Sequence, residues 1–295
     1  MVLARLLGDF PPARFLEEFY FRLPYSRPGG AAGVAPGIGW DRVRALVDAP
    51  GADLLLSRRG KLSPGAGYKE ARRRYGEGHT ITLRSAEKLD PDLARLAEEF
   101  RADFRAPVNI HLYCTPAGEH GFGWHYDVED VFVLQSEGAK VYSLRKNTVN
   151  PWPVLDTMPR DLGYEREGSP VFTCRLEAGD WLYIPAGWWH IAHTESESKS
   201  LAVGLMSPTA LDLLKFLGPE LASSVIWRQR LPATAASDPE TLAKVFRDLG
   251  RDLATVLLDP KMLRRFIESR SNPRNNLRLA IGDSATPSKN RESKI

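Results

Sequence analysis

The sequence predicts a mainly β protein: a sandwich, jelly-roll or barrel core with helical segments before and after it. Three observations carry that reading. Between Pro107 and about Met206 the apolar residues fall in short runs rich in Val, Ile, Tyr, Phe and Trp, separated by turn clusters. No helical spacing interrupts these runs, and about eight short strands in succession point to a sandwich, jelly roll or barrel. Outside that window the apolar residues recur at helical spacing.

Taken in order, PPARFLEEF opens like a helix with Pro in its first turn. SRPGGAAGVAPGIG (26–39) is a Gly- and Pro-rich loop, and Asp41 reads as the cap of a short helix, WDRVRALVDA. Residues 58–75 hold seven Lys/Arg and one Glu, which reads as a solvated basic face or a steering surface for an acidic or RNA-bound target. DPDLARLAEEFRADF (90–104) has a capping Asp, then Pro, then one apolar face. Residues 1–78 are therefore expected to be a mostly helical flank, with the core over 79–207. The strand candidates are 108–114, 130–135, 140–145, 169–176, 180–185 and 200–206. From Pro208 the pattern returns to helix, giving a C-terminal helical region over 208–283. Residues 284–295, SATPSKNRESKI, read as a disordered tail.

Composition narrows the class. The chain has 295 residues, 43% hydrophobic and 26% charged, as in a water-soluble globular protein. No run approaches the roughly 18 apolar residues that cross a bilayer, and the opening residues lack a secretory pattern. With two cysteines and no CxxC, neither a disulfide framework nor a Cys-based zinc site is expected, and the reading is cytoplasmic. A net charge of +3 is too small to argue for direct nucleic-acid binding.

The chemistry concentrates in two segments. In Gly123-Trp124-His125-Tyr126-Asp127, the first and last of the His-x-Asp residues share a face if the segment is a strand. Alone, the pair reads more readily as a polar strand end. GDWLYIPAGWWH (179–190) then supplies a strand, a tight turn and His190. Two His and one carboxylate on a barrel wall make a facial triad, which leaves positions open on an octahedral Fe(II) for a co-substrate and O2. A structural zinc site would want a fourth protein ligand. His193 competes with His190, but positions three apart on a strand face opposite ways, and His190 follows the more buried-looking Trp188-Trp189. Lys140 opens a later strand. Most such lysines are solvated, yet beside an iron triad a Lys is a natural partner for the distal carboxylate of 2-oxoglutarate. The chain must turn near Glu129-Asp130 and again at 136–139 to bring it back.

GFGWHYDVEDVFVLQSEGAKVYSLR followed by GDWLYIPAGWWHIAHT resembles the JmjC-type Fe(II)/2-oxoglutarate oxygenases. It is most similar to the cupin-like subgroup that includes the ribosomal oxygenases and the asparaginyl hydroxylase of hypoxia signalling. The resemblance covers about 79–207, and it implies a double-stranded β-helix. It further implies that His125, Asp127 and His190 bind Fe(II), that Lys140 pairs with the 2-oxoglutarate C5 carboxylate, and that Tyr113 hydrogen-bonds the same group. His111, where the family often has Asn, and Ser200 are pocket candidates; Trp124, Tyr126 and Trp189 are candidates for its walls. The chain departs from the asparaginyl hydroxylase at Phe122, where that enzyme uses a Thr.

The implied activity is hydroxylation of an unactivated C–H, coupled to oxidative decarboxylation of 2-oxoglutarate by O2. The implied substrate is a side chain of a protein, by resemblance a ribosomal one. The alternatives are a hydroxylase of a small molecule or tRNA base, and a non-catalytic cupin-like metal-binding module. The apolar spacing of Leu242, Val245, Phe246, Leu249, Leu253, Val256 and Leu257 fits a helix that packs on a second copy or on its own core.

Overall fold

The computed structural model describes residues 1–154, 164–231 and 238–271; the tail at 284–295 lies outside them. The chain divides into two compact units, Met1–Ser207 and Pro208–Ile295. In the first, helices α1 (Val2–Leu7), α2 (Pro12–Glu18), α3 (Trp40–Val47), α4 (Tyr68–Gly76) and α5 (Pro91–Phe104) accompany eleven strands. The strands are β1 (Tyr25–Arg27), β2 (Asp53–Arg58), β3 (Lys61–Pro64), β4 (Thr80–Arg84), β5 (Val108–Thr115), β6 (Asp130–Glu137), β7 (Lys140–Arg145), β8 (Val171–Leu176), β9 (Trp181–Ile184), β10 (Trp189–Thr194) and β11 (Ser198–Leu205). They form an eight-stranded antiparallel sheet, β1-β9-β6-β11-β5-β4-β2-β3, and a three-stranded sheet, β10-β7-β8.

Period-two alternation explains how the large sheet serves two purposes. On β5, Ile110 and Leu112 join the main core, whereas Asn109, His111 and Tyr113 line a cavity. On β6, Phe132 and Leu134 face that core, whereas Val131 and Val133 pack toward Tyr142, Leu144, Leu176 and Trp188. Helix α5 covers the first face. Asp90 caps it by accepting from the backbone N–H of Asp92 and Leu93, and Leu93, Leu96, Ala97 and Phe100 are its buried stripe. Phe15, Phe132, Trp181 and Tyr183 are fully buried in the same core; burying an apolar side chain of this size is worth roughly 1.5–3 kcal/mol.

Three local expectations need correction. The N-terminal segment is helical in α1 to α4 but is not a separate flank, because β2 and β3 extend the large sheet beyond β4. Arg59 and Gly60 turn that hairpin with φ of 50° and 81°, the left-handed pair of a tight primed turn. Asp41 lies in the first turn of α3, and the cap position is Gly39. His125 and Asp127 are not on a strand: they sit in the connection between β5 and β6, where His125 makes one isolated bridge.

The second unit holds α6 (Ala210–Ser223), α7 (Val225–Arg228), α8 (Pro239–Leu258) and α9 (Pro260–Ser271). Helix α6 runs through Pro219 without ending, and Thr209 and Asp212 close a capping box at its start. Helix α8 has no fully buried residue, and Phe246, Leu257 and Leu258 are exposed. Among the described residues no helix is long and apolar enough to cross a membrane.

Candidate metal centre and its cavity

The connection after β5 and the start of β10 meet through main-chain bonds. His125 N–H donates to His190 O at 3.2 Å, and His190 N–H donates to His125 O at 2.8 Å. Residues opposed in this way project side chains on the same side, which sets the two imidazoles 4.2 Å apart between ring centres. The turn ahead of β10 is equally constrained. Trp188 N–H donates to Pro185 O, and Gly187 has φ of 81°, as the third position of a type II turn requires. A Cβ on Gly187 would lie 2.8 Å from Pro153 Cδ. Gly187 N–H in turn donates to Asp127 O at 2.8 Å, tying the carboxylate's backbone to the histidine turn.

Each histidine spends Nδ1 on a carbonyl two residues back: His125 on Gly123 O at 2.8 Å, and His190 on Trp188 O at 3.0 Å. A carbonyl only accepts, so both Nδ1 atoms carry the proton and both Nε2 atoms present a lone pair. His190 Nε2 lies 3.5 Å from Asp127 Oδ2, and one donor atom from each of His125, Asp127 and His190 lies within 4.8 Å of the others. Donors sharing one ion at about 2.1 Å lie up to about 4.2 Å apart, so a small side-chain rotation closes the set. Burial, and then His125, holds the His190 pKa well below its ordinary value, which keeps the imidazole in its ligating, neutral form. The donor set fits a divalent transition metal of the facial-triad type.

These residues open into a cavity of about 350 Å³ between the sheets, which Lys140, Tyr113, Ser200 and His111 also line. Lys140, the first residue of β7, is 4% exposed. It reaches from the small sheet to the large one and donates from Nζ to Ser200 Oγ at 2.8 Å. Burial pushes its pKa down to about 8. Tyr113 lies under the same ammonium, 5.7 Å from Nζ to its ring centre, and burial raises its pKa, so the phenol stays a neutral donor. Thr82, beside Tyr113 in the sheet, leaves a buried hydroxyl without a partner among the described residues. Phe122 stands edge-on to Tyr113 at 6.1 Å and 5.5 Å from the His125 ring. His111 Nδ1 accepts from Ser85 N–H at 3.2 Å, leaving its proton on Nε2.

The aromatic wall candidates lie elsewhere. Trp124, Tyr126 and Trp189 are absent from the cavity lining. Tyr126 and Trp189 are buried and pack edge-on against each other at 4.7 Å, and Trp124 stacks on Tyr164 at 4.5 Å. They brace the ligand-bearing segments from behind. His193 is exposed and lies against His120. The basic stretch is partly neutralised: Arg58 and Arg59 pair with Glu119, and Arg73 and Arg74 with Glu77. Among the cavity residues that escaped the sequence reading are Asn109 and Glu129. A period-two signal existed for both, since Asn109 precedes His111 by two and Glu129 follows Asp127 by two. Burial, and then the neighbouring Asp127, raises the Glu129 pKa.

A family model described as the JmjC domain matches residues 83–213. That segment is a JmjC domain. The JmjC match begins at β4 and runs past β11, so it contains all three donor residues. The chain is 34% identical over 154 residues to the bifunctional lysine-specific demethylase and histidyl-hydroxylase NO66 of Dictyostelium discoideum, an alignment covering 51% of this chain and 28% of that protein. It is 31% identical over 212 residues to ribosomal oxygenase 2 of Rattus norvegicus, covering 66% of this chain and 45% of the relative. It thus spans less than half the length of these relatives. Among solved structures, the ribosomal oxygenase YcfD of Escherichia coli, in complex with cobalt and 2-oxoglutarate, superposes with a TM-score of 0.60 at 20% identity. That match covers 88% of this chain and 70% of YcfD, and it shows a shared fold.

Proposed function

We propose that this JmjC protein is an Fe(II)- and 2-oxoglutarate-dependent dioxygenase that hydroxylates a side chain of a polypeptide. The observation that carries the proposal is one cavity holding both a His125–Asp127–His190 donor set and a buried, protonatable Lys140. The iron, when bound, supplies dioxygen activation coupled to decarboxylation of the keto acid. The protein's part is binding and orientation. Lys140, with Tyr113 and Ser200 beside it, holds the far carboxylate of 2-oxoglutarate, while the two Nε2 atoms and the Asp127 carboxylate hold the metal. Phe122, between Tyr113 and His125, keeps water from the space that joins them. A polypeptide substrate, ribosomal in origin, is supported by the names of the relatives, a histidyl-hydroxylase and a ribosomal oxygenase.

The test is succinate formation from 2-oxoglutarate by purified protein with and without Fe(II). Iron-dependent succinate that disappears in His125→Ala is the expected result. Succinate formation that survives that substitution overturns the assignment. A mass-spectrometric comparison of the proteome, ribosomal proteins first, from cells with and without the gene should then reveal one peptide heavier by one oxygen; ribosomal proteins without that difference overturn the ribosomal origin, and a whole proteome without it overturns the polypeptide class.

A further inference from the structure

His125 and Asp127 ride on the connection between β5 and β6, residues 116–129, which holds no strand or helix of its own. The first half of that connection is anchored on two sides. On one side is β10, the strand that carries His190. Gly118 N–H donates to Thr194 O at 3.0 Å, and Thr194 N–H donates to Glu119 O at 3.1 Å. Glu119 N–H also donates to Thr194 Oγ1 at 3.2 Å. On the other side is the tip of the β2–β3 hairpin. Arg59 N–H donates to His120 O and Gly60 N–H to Gly121 O, each at 2.9 Å. Gly121 permits that approach, since a Cβ there would stand 2.5 Å from Ser57 Oγ and 2.9 Å from Thr80 Oγ1.

Glu119 belongs to both anchors. Its backbone is bonded to Thr194, and its half-buried carboxylate takes two arginines of the hairpin. Arg58 Nη2 donates to Oε1 at 3.0 Å, and Arg59 Nε donates to Oε2 at 3.2 Å. Arg59 is an awkward occupant of its corner. The first position of a tight primed turn suits Asn, Asp or Gly, and an arginine held there at φ of 50° is strained. What the arginine supplies is a guanidinium that reaches the carboxylate from the turn itself. Partly exposed ion pairs add little to folding stability, so a strained residue that makes one points to function. The segment it grips is the one that presents two of the three metal donors.

We propose that Glu119, gripped by Arg58 and Arg59, is a positioning residue of the metal centre. It fixes the main-chain path along which His125 and Asp127 arrive, and the strained turn at Arg59 serves that grip. The effect travels through the backbone. The same segment is bonded to β10 at Thr194 and again at His190, so the grip sets where the two imidazoles meet across the bridge. The inference rests on the reading of His125, Asp127 and His190 as ligands of a divalent metal.

The test uses full-length protein as the parent, Arg59→Asn, Glu119→Gln and the two combined. The readings are the melting temperature and the amide hydrogen exchange of peptides within 117–128, both without metal, and the Mn(II) dissociation constant by isothermal titration. Arg59→Asn suits the turn better, so it should melt at or above the parent temperature. It should nonetheless speed exchange across 117–128 and weaken Mn(II) binding by about two- to fivefold, the worth of one partly exposed ion pair. Glu119→Gln loosens both pairs and should weaken Mn(II) binding by about five- to tenfold. The combined variant should match Glu119→Gln to within about 1.5-fold, since both changes remove the same grip; fully additive losses overturn that shared role. Variants that bind Mn(II) as the parent does overturn the inference, as does a loss of affinity with no change in exchange. A loss in Arg59→Asn that comes with a lower melting temperature overturns it too, being the mark of a merely structural role. Should Glu119→Gln fail to fold, Arg59→Asn alone decides between these outcomes. Parent protein that binds no Mn(II) sinks the metal reading and the inference with it; parent protein that binds Mn(II), beside variants that match it, sinks the inference alone.

Discussion

The metal corner and the lysine end of the same cavity are built by different means. At the metal corner the two histidines are opposed by a pair of main-chain bonds, and their ring orientations are set by carbonyls of Gly123 and Trp188. At the lysine end a single long side chain is driven out of water and steadied by one hydroxyl, Ser200. The first arrangement depends on backbone path and tolerates changes in neighbouring side chains. The second depends on desolvation, so charge, pH and ligand all act on it directly.

The largest effect should come from removing a donor. His190→Ala takes away one of three ligands and should weaken Mn(II) binding by at least roughly a hundredfold, read by isothermal titration; a variant that binds as well as the parent would break the contrast at its stronger end. Next, Lys140→Ala removes a charge-assisted hydrogen bond worth about 1.5–3 kcal/mol, or roughly ten- to 150-fold in 2-oxoglutarate affinity. Mn(II) affinity without 2-oxoglutarate should stay within a few-fold.

The pH dependence sharpens the same contrast. The Lys140 pKa is lowered by burial to about 8 in the empty cavity, so the ammonium is present below pH 8 and is lost as the pH rises through it. The 2-oxoglutarate concentration needed for half-saturation should climb above pH 8, by up to about tenfold per unit. In the protein without 2-oxoglutarate the sign is opposite: the unfolded chain keeps the proton up to its ordinary lysine pKa, so folding stability rises with pH from about 8 toward the unperturbed value near 10.4. Thermal melts with and without 2-oxoglutarate across that window check both signs, and a flat affinity profile would mean that Lys140 does not carry the carboxylate. The smallest effect is expected of Gly123→Ala. A Cβ there meets nothing within 4 Å, and the carbonyl that orients His125 is unchanged, so Mn(II) affinity should move by no more than about twofold.

The donor residues were legible because His-x-Asp, Lys140 and the later PAGWWH segment occur together, each being ambiguous alone, and the strands from Val108 to Leu205 because they alternate between sharp turns. The β2–β3 hairpin was hidden for a physical reason. DLLLSR is a short apolar run beside a dense group of arginines, and its place in the sheet comes from pairing with β4 rather than from a pattern of its own. Trp124, Tyr126 and Trp189 misled because an aromatic beside a ligand can face the cavity or brace the chain behind it, and only the backbone path decides which. Glu129 went unread because a carboxylate after a turn is usually solvated; its half-buried place against the sheet follows from a bare Gly204 on a strand distant in sequence.

The bridge between His125 and His190 joins the segment after β5 of the large sheet to β10, an edge strand of the small one. An ion seated on those two residues and Asp127 would act as a clasp across the mouth of the fold. Loading the metal and locking the two walls together would then be a single event, and a protease should find the Pro116–Val128 stretch easier to cut before the clasp is fastened than after.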